Sequence, residues 1–362
     1  MKKYILSILS LLFLNTTYSQ VLYDENFDSF TLGNLGTDPD GLIPGQDGWL
    51  TECNLQPNYG SKSNSFFTII NESGKGKVLL LSSATPPQKE VLTAKKTGLD
   101  ALINQRTSGY NVVKFEIDYF TGTKHFYQNN PDYNTITLTY SPSKYDRLFS
   151  FRFLAIHGII DVRYHTGGSQ IGAVDFFKID KNNEHALLPF NTWVKLIAYL
   201  DYNNKKIYFE FPYFGTVVSG DFLSQSTSTN LMQDFKPSAL LVDVSTRNST
   251  STIQIINKYD NIKITALKSV PPEVIALSVD EVLSQKFNLY PNPATNVVNI
   301  TNNENMFVEQ VAIYDVTGKQ LSTQTFNKEA EIQLNVENMA IGVYLLHIKT
   351  KEGTAVKRLI KK

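Results

Sequence analysis

The sequence predicts an all-β protein in which a large β-sandwich is followed by a small one. Short runs with period-two alternation, or rich in β-branched and aromatic residues, recur from Val21 onwards. Clusters of Gly, Pro, Asn, Asp and Ser separate these runs, and amphipathic stretches of helical length are missing. The 362 residues include 19 Tyr and 22 Phe but only 4 Met. This composition fits aromatic-packed sheets rather than a coiled coil or a disordered chain.

The balance of positive and negative residues argues against a broad nucleic-acid-binding surface. The 34 Lys and Arg residues balance 34 Asp and Glu residues, so the chain has no excess positive charge to neutralise phosphates. We therefore expect no nucleic-acid partner.

The N-terminus has the pattern of an export signal. Lys2 and Lys3 precede an apolar run from Ile5 to Leu14, and small Ser19 follows a polar stretch. This predicts a signal peptide over residues 1–19 and a mature chain that begins at Gln20, with no later run long enough to span a membrane. The single cysteine, Cys53, can form no internal disulfide and lies far from the cleavage site, which argues against lipid attachment there.

The large sandwich is predicted over residues 20–267. Its clearest strands are Val112 to Phe120, Thr135 to Tyr140, Leu148 to Ile156, Ile159 to His165, Trp193 to Leu200, Lys206 to Phe214, Ser238 to Val244 and Thr252 to Thr265. The segment from Asp201 to Lys205 between two of them predicts a hairpin, because asparagine tolerates the left-handed conformation of tight connections.

Residues 268–286, with Pro271 and Pro272, interrupt the strand rhythm and are predicted to be a linker. About seven strands follow over residues 287–362, enough for an immunoglobulin-like sandwich. They are Phe287 to Asn292, Val297 to Thr301, Val308 to Val316, Gln320 to Phe326, Glu331 to Val336, Gly342 to Thr350 and Thr354 to Ile360.

Four motifs in this last segment resemble those of the type IX secretion C-terminal sorting domain (type A). They are Asn288 to Pro293 (NLYPNP), Ile313 to Lys319 (IYDVTGK), Ile341 to Leu345 (IGVYL) and the basic end from Val356 to Lys362. The resemblance implies export to the outer-membrane surface or the medium of a gram-negative bacterium. It also implies a secretion translocon and a sortase-type protease as partners. The residues that match the sorting signal are Tyr290, Pro291, Asn292, Pro293, Asp315, Gly318, Lys319, Gly342, Tyr344, Lys357 and Lys361.

The large domain resembles concanavalin A-like and laminin-G-like jelly rolls. The resemblance rests on the segment Asp24 to Asp28 near the start, the segment Tyr259 to Ile264 near the end, and Trp193 to Leu196 followed by the asparagine hairpin. In such folds the first and last strands pair, which implies that Glu25 and Asp28 lie near Asp260. Because Ca²⁺ is bound by clustered carboxylate and carbonyl oxygens, a structural Ca²⁺ there is one hypothesis. The alternative is a set of ordinary surface acids at strand ends.

An enzymatic interpretation begins at Glu116 to Phe120, which resembles the start of the E-I-D-x-x-E signature of jelly-roll glycoside hydrolases. The second glutamate of that signature would fall at Thr121, or at Phe120 in a shorter form. Neither side chain can serve as the second carboxyl group that such hydrolysis needs. The sequence therefore assigns no catalytic residue.

A cationic and aromatic strip provides a candidate ligand site. Arg152, Arg163, Tyr164 and His165 lie on or beside neighbouring strands, and alternation places Arg163 and His165 on one face. Such a strip could bind an acidic polysaccharide, and a solvated sheet face is the simpler alternative. The sequence thus favours a lectin-like domain that binds glycan or matrix without catalysis. A polysaccharide hydrolase or lyase, and a structural surface component, are the alternatives.

Overall fold

A computed structural model describes residues 19–55, 61–84, 90–124, 132–143, 145–168, 174–178, 187–246, 254–279, 283–284, 286–302, 304–315, 320–351 and 353–362. The predicted signal peptide, apart from Ser19, lies outside this range. So do residues 316–319 of the predicted turn in the last segment.

Strands predominate in the described part of the large domain, as predicted. Its strands are β1 (Ser19–Glu25), β2 (Gly33–Asn34), β3 (Trp49–Leu55), β4 (Phe67–Glu72), β5 (Gly76–Ser82), β6 (Glu90–Thr97), β7 (Val112–Phe120), β8 (Tyr133–Thr139), β9 (Arg147–Leu154), β10 (Ile159–His165), β11 (Val174–Lys178), β12 (Trp193–Asp201), β13 (Lys206–Phe211), β14 (Thr216–Asp221), β15 (Ala239–Thr246), β16 (Ile256–Leu267) and β17 (Ser278–Val279). The helices are short: α1 (Leu99–Ile103), α2 (Leu231–Asp234) and α3 (Pro272–Leu277).

These strands form two sheets. The ten-stranded sheet has the order β17-β14-β13-β12-β7-β16-β5-β4-β2, and β1 pairs with β16. The seven-stranded sheet has the order β11-β10-β9-β8-β15-β6-β3. Pairing of the first long strand with the last, which the jelly-roll resemblance implies, is confirmed: Glu25 lies opposite Ile262 in the antiparallel β1–β16 pair.

The core lies between the two sheets and is largely aromatic. In β7 the side chains of Phe115, Ile117 and Tyr119 are buried in it, so strand alternation turns Glu116 and Asp118 to the outer face. Phenylalanines from both sheets meet edge to face. For example, the rings of Phe151 and Phe209 are 5.5 Å apart at 80°, a geometry that contributes about 0.5–1.5 kcal/mol beyond area burial.

The predicted hairpin joins β12 to β13, but its left-handed residue is not an asparagine. Lys205 has φ of 52°. The backbone N–H groups of Asn203 and Asn204 instead donate to Asp201 Oδ1, each at 3.0 Å. The asparagine pair is therefore held by the carboxylate that precedes it.

Most of the predicted linker belongs to the large domain. β17 pairs with β14 in parallel, with Val217 opposite Ser278. Val270 and Val274 are buried in an apolar cluster on the outer face of the ten-stranded sheet, and Leu277 packs against that cluster. The reason is that β12, β13 and β14 carry apolar side chains on that face, which α3 and β17 cover. We call residues 268–279 the strap.

The small domain contains the seven predicted strands. They are β18 (Phe287–Tyr290), β19 (Val297–Asn302), β20 (Val308–Asp315), β21 (Gln320–Glu329), β22 (Ile332–Asn335), β23 (Gly342–Thr350) and β24 (Thr354–Lys361). One sheet has the order β18-β19-β22 and the other β21-β20-β23-β24. Tyr344, Leu346 and Ile348 of β23 are buried in its core, as their alternation predicts.

Candidate functional site

A cleft lies on the face of the seven-stranded sheet that is turned away from the core. Phe151 and Phe153 of β9 point into the core, so the intervening Arg152 points out. By the same alternation, Ile160 and Val162 of β10 face the core and Arg163 faces out. The cleft measures about 250 Å³. Its lining residues come from strands β6, β8, β9, β10 and β15 and the turn before β9: Val91, Tyr133, Thr135, Thr137, Tyr145, Arg147, Ser150, Arg152, Arg163, Asp243 and Ser245.

Positive charge dominates this lining, which has three arginines and one aspartate. Arg152 Nε donates to both carboxylate oxygens of Asp161 at 3.1 Å, and its Nη2 also contacts Asp161. Burial lowers the pKa of Arg163, and the positive charge of Arg152 lowers it further. Burial also lowers the pKa of Arg147. The guanidinium groups therefore lie close enough to repel one another, and an anion between them would relieve that repulsion.

The one carboxylate of the lining is held at the floor of the cleft. Asp243 is 9% exposed. It accepts hydrogen bonds from Thr93 Oγ1 at 2.5 Å and Thr135 Oγ1 at 2.8 Å. Because both threonines lie on strands adjacent to β15, the sheet itself fixes the orientation of this carboxylate.

Two residues of the predicted strip do not line the cleft. Tyr164 is 2% exposed and faces the core, where its ring lies so close to Gly220 that a Cβ there would be 2.4 Å from it. His165 is 5% exposed, packs against the rings of Tyr140 and Phe235, and accepts a hydrogen bond from Gly167 N at 2.7 Å. Burial lowers its pKa. Of the predicted strip, Arg152 and Arg163 remain at the surface.

Sequence reasoning missed Arg147, Asp243 and the two cleft tyrosines, Tyr133 and Tyr145. For Tyr133 the signal was present, since Tyr133, Thr135 and Thr137 alternate with residues that face the core. Nothing local indicated that β15 lies beside β8, with Val242 opposite Ile136. That pairing brings Asp243 into the cleft.

The three carboxylates proposed to bind Ca²⁺ each accept a hydrogen bond from a backbone N–H. Glu25 Oε1 accepts from Phe27 N at 2.7 Å, Asp28 Oδ1 from Lys77 N at 2.9 Å, and Asp260 Oδ1 from Asn261 N at 2.8 Å. Among the residues that the structure describes, no three His, Cys, Asp or Glu side chains form a group that could hold a metal ion. The strand pairing was right, and each carboxylate accepts one backbone hydrogen bond, which for Asp28 comes from the distant residue Lys77. A structural Ca²⁺ at these residues stays a prediction.

Glu116 and Asp118 lie on the outer face of the opposite sheet. Glu116 pairs with Lys114 at 2.9 Å, and Asp118 pairs with Lys75 at 2.7 Å and Lys195 at 3.0 Å. Burial acts to raise the pKa of Asp118, but the hydrogen bonds from Lys75, Asn261 and Lys195 lower it overall.

The neighbouring carboxyl group of Asp260 has a pKa raised by burial to about 6.

Thr121, where the hydrolase signature would place its second glutamate, is 1% exposed and donates to Pro189 O. The ion pairs of Glu116 and Asp118 with neighbouring lysines are those of an ordinary outer sheet face.

In the small domain, the Tyr290–Pro293 turn is fixed to the last strand. Asn292 Nδ2 donates to Arg358 O at 2.7 Å, and Ile360 N donates to Asn292 Oδ1 at 2.8 Å. Tyr290 is 53% exposed, and the Tyr290–Pro291 and Asn292–Pro293 peptide bonds are cis. The first and last signature motifs of the segment therefore form one surface.

The other residues that match the sorting signal differ in burial and in their place in the strands. Tyr344 is buried and donates from its hydroxyl to Ala340 O at 2.8 Å. Gly342 begins β23, and Asp315 ends β20. Gly318 and Lys319 lie outside the described residues. Lys361 is 8% exposed.

Lys357 is partly buried. Its Nζ donates to Ser284 O at 3.2 Å, and burial lowers its pKa. Arg358 and Lys362 are the exposed cations of the basic end.

Comparison with known proteins supports the sequence motifs. Residues 288–362 match the family model described as "Secretion system C-terminal sorting domain". None of the curated proteins matches the chain. No helix among the described residues is long and apolar enough to cross a bilayer.

Several solved structures show remote likeness. A sialidase has a TM-score of 0.35 and 11% identity, over 62% of this chain and 17% of the sialidase. The family 7 alginate lyase A1-II′ has a TM-score of 0.34 and 10% identity, over 57% of this chain and 84% of the lyase. The binding domain of botulinum neurotoxin serotype D/C has a TM-score of 0.39 and 8% identity, over 92% of this chain and 72% of the neurotoxin domain. At these scores, the likenesses assign no function.

Motif order, the two-sheet sandwich of the segment and the family model agree. Residues 288–362 are a type IX secretion C-terminal sorting domain, and this tail addresses the chain to the cell surface or the extracellular space.

Proposed function

We propose that the exported large domain binds an anionic polysaccharide, without cleaving it, in the cleft on the seven-stranded sheet. The observation that carries the proposal is the lining of three arginines, Arg147, Arg152 and Arg163, against one aspartate. Guanidinium groups bind carboxylate and sulfate oxygens through two parallel hydrogen bonds. A chain that repeats such groups would meet several cations at once.

The shape of the cleft fits an extended chain. Its lining crosses β6, β15, β8, β9 and β10. Four spacings of ~4.8 Å between neighbouring strands give a length of about 19 Å. A site whose lining crosses five strands suits a short internal stretch of a polymer. Single sites on such a face are weak, so many copies at a cell surface would raise the overall affinity.

The carboxylates near the cleft support binding rather than acid–base chemistry. Asp161 forms an ion pair with Arg152, and Asp243 accepts two threonine hydrogen bonds. Both are held in place as counter-charges for the arginines.

A second candidate function is cleavage of the same polysaccharide by elimination. Tyr133 and Tyr145 line the cleft beside the arginines, and Tyr145 is 66% exposed. A tyrosine can transfer a proton during such a reaction, and a guanidinium can stabilise the charge that develops on a sugar carboxylate.

The test uses the full chain with polygalacturonate, alginate and dextran sulfate, and with dextran as the neutral control. We expect retention on at least one anionic polymer, weakened by salt because the attraction is between charges. The R147Q/R163Q double variant should bind about tenfold more weakly or worse, since a charge-assisted hydrogen bond contributes roughly 1.5–3 kcal/mol.

The matched control is R358Q, which removes an exposed arginine from the sorting domain and should bind like the wild type. Thermal melting checks that each variant is folded. Equal binding to dextran, or wild-type binding by R147Q/R163Q, would refute the proposal. New unsaturated ends during incubation would establish the lyase instead.

A further inference from the structure

A second groove lies among the loops next to the ten-stranded sheet and shares no lining residue with the cleft. It measures about 450 Å³, within the range of about 300–1,000 Å³ typical of small-ligand sites. Three segments line it: the turn before β7, the β12–β13 hairpin and the residues around the start of α2. The lining residues are Arg106, Ser108, Gly109, Asn111, Tyr202, Asn203, Lys205, Ser228, Thr229, Asn230, Leu231 and Met232.

We propose that this groove binds a single sugar unit that carries an oxyanion, either a uronate carboxylate or a sulfate ester. Arg106 and Lys205 supply two positive charges, and no Asp or Glu is among the lining residues. Two aspartates close in sequence to the lining segments are already engaged: Asp201 accepts from the hairpin backbone, and Asp234 accepts from Ser228 Oγ at 2.6 Å. The groove therefore has an excess of positive charge.

Within the described parts of the chain, the two cations of the groove make only long hydrogen bonds. Arg106 Nη1 lies 3.3 Å from Ile103 O, and Nη2 lies 3.5 Å from Asn111 Oδ1. Its Nε is buried with no hydrogen-bond partner among the described residues, which is costly for a polar group unless a ligand satisfies it. Lys205 Nζ lies 3.3 Å from Ser226 O. An oxyanion between Arg106 and Lys205 would give both cations shorter, charge-assisted bonds.

The remaining lining suits a sugar ring. Asn111, Asn203 and Asn230 present amides that can donate to and accept from ring hydroxyls. Asn111 Nδ2 already donates to Asn203 Oδ1 at 3.1 Å, so the two amides are oriented by each other. Leu231 and Met232 add apolar surface to the lining, against which the apolar face of a sugar can pack. This mixture distinguishes the groove from a site for a bare inorganic anion.

The experiment is an NMR titration of the full chain with glucuronate, glucose 6-sulfate and glucose. We expect glucuronate or glucose 6-sulfate to bind, and the tighter of the two identifies which oxyanion the groove prefers. Glucose should bind at least about tenfold more weakly, the effect of one lost charge-assisted interaction.

The variants R106Q and K205N should each weaken binding about tenfold. Asparagine is chosen at position 205 because it tolerates the left-handed backbone found there. The matched control is K206Q, since Lys206 is the next residue but pairs with Asp221 and does not line the groove. It should bind like the wild type, and so should R147Q/R163Q. The inference is overturned if neither charged sugar binds, if glucose binds equally well, or if K206Q or R147Q/R163Q weakens binding as much as R106Q does.

Discussion

The strap, residues 268–279, offers the sharpest test of how the large domain is built. A fragment of residues 20–267 ends at the predicted domain boundary, whereas a fragment of residues 20–279 retains the strap. Val270 and Val274 of the strap are 2% and 3% exposed in the apolar cluster that they form with the sheet. We expect the shorter fragment to be much less stable, because it loses both valines and uncovers the sheet residues on which they pack.

The size of the effect follows from this burial. Each fully buried valine contributes about 1.5–3 kcal/mol, so the two together contribute about 3–6 kcal/mol. A domain is stable by only about 5–15 kcal/mol in total. For a domain of this length, 1 kcal/mol shifts the melting temperature by about 2–4 °C. The melting temperatures of the two fragments should therefore differ on the order of 10 °C.

Thermal melting followed by circular dichroism measures the difference, and binding of a hydrophobic dye reports the uncovered face. Two point variants of the full chain provide a matched pair. V274D places a charge in the apolar cluster, whereas I275D changes the next residue of α3, which is 46% exposed. V274D should be strongly destabilised and I275D nearly neutral. Equal melting temperatures for the two fragments, or equal effects of the two variants, would show that the strap is a linker after all.

Three further predictions concern single residues. Burial lowers the pKa of His347 to about 4, so between about pH 6.5 and 4 only the unfolded chain binds this proton. The free energy of unfolding should therefore fall by about 3 kcal/mol between pH 6.5 and pH 4, at 1.36 kcal/mol per pH unit. Denaturation of the wild type and of H347Q at pH 7 and pH 4 measures this loss, and an equal loss in both proteins would contradict the prediction. G220A should lose about 1–3 kcal/mol of unfolding free energy because its methyl group meets the Tyr164 ring, and an unchanged melting temperature would show that the ring moves aside. N292A breaks both side-chain bonds from the Tyr290–Pro293 turn to β24, so we expect less of the chain outside the cell; unaltered export by immunoblot would exclude a role for this contact.

Much of the fold could be predicted because its signals are local. Val112–Phe120, Ile159–His165 and Gly342–Thr350 are strands with the predicted bounds, since alternation and flanking turn residues act over a few positions. The predicted linker was partly wrong because its prediction also rested on local signals alone. Pro271 and Pro272 do interrupt the strands, but only the apolar outer face of β12–β14 decides that the residues after them pack back onto the sheet.

The candidate site was less predictable because it depends on distant pairing. Alternation predicted a shared face for Arg163 and His165, but the predicted strip also included Tyr164, which faces the core. Alternation could not show that Tyr140 and Phe235, from other parts of the chain, cover His165. Nor could it bring Asp243 beside Thr93 and Thr135, from strands more than a hundred residues earlier in the chain.

By itself, the sequence determined the strand-rich class, the sorting tail and two of the three cleft arginines, because each rests on residue type and short-range spacing. Only the tertiary structure decided which arginines share a cleft, which backbone groups bond to the proposed calcium ligands, and that a separate cationic groove forms where three loops meet. The physical reason is that sheet register and loop packing join residues far apart in the chain, and short-range periodicity carries no information about such partners.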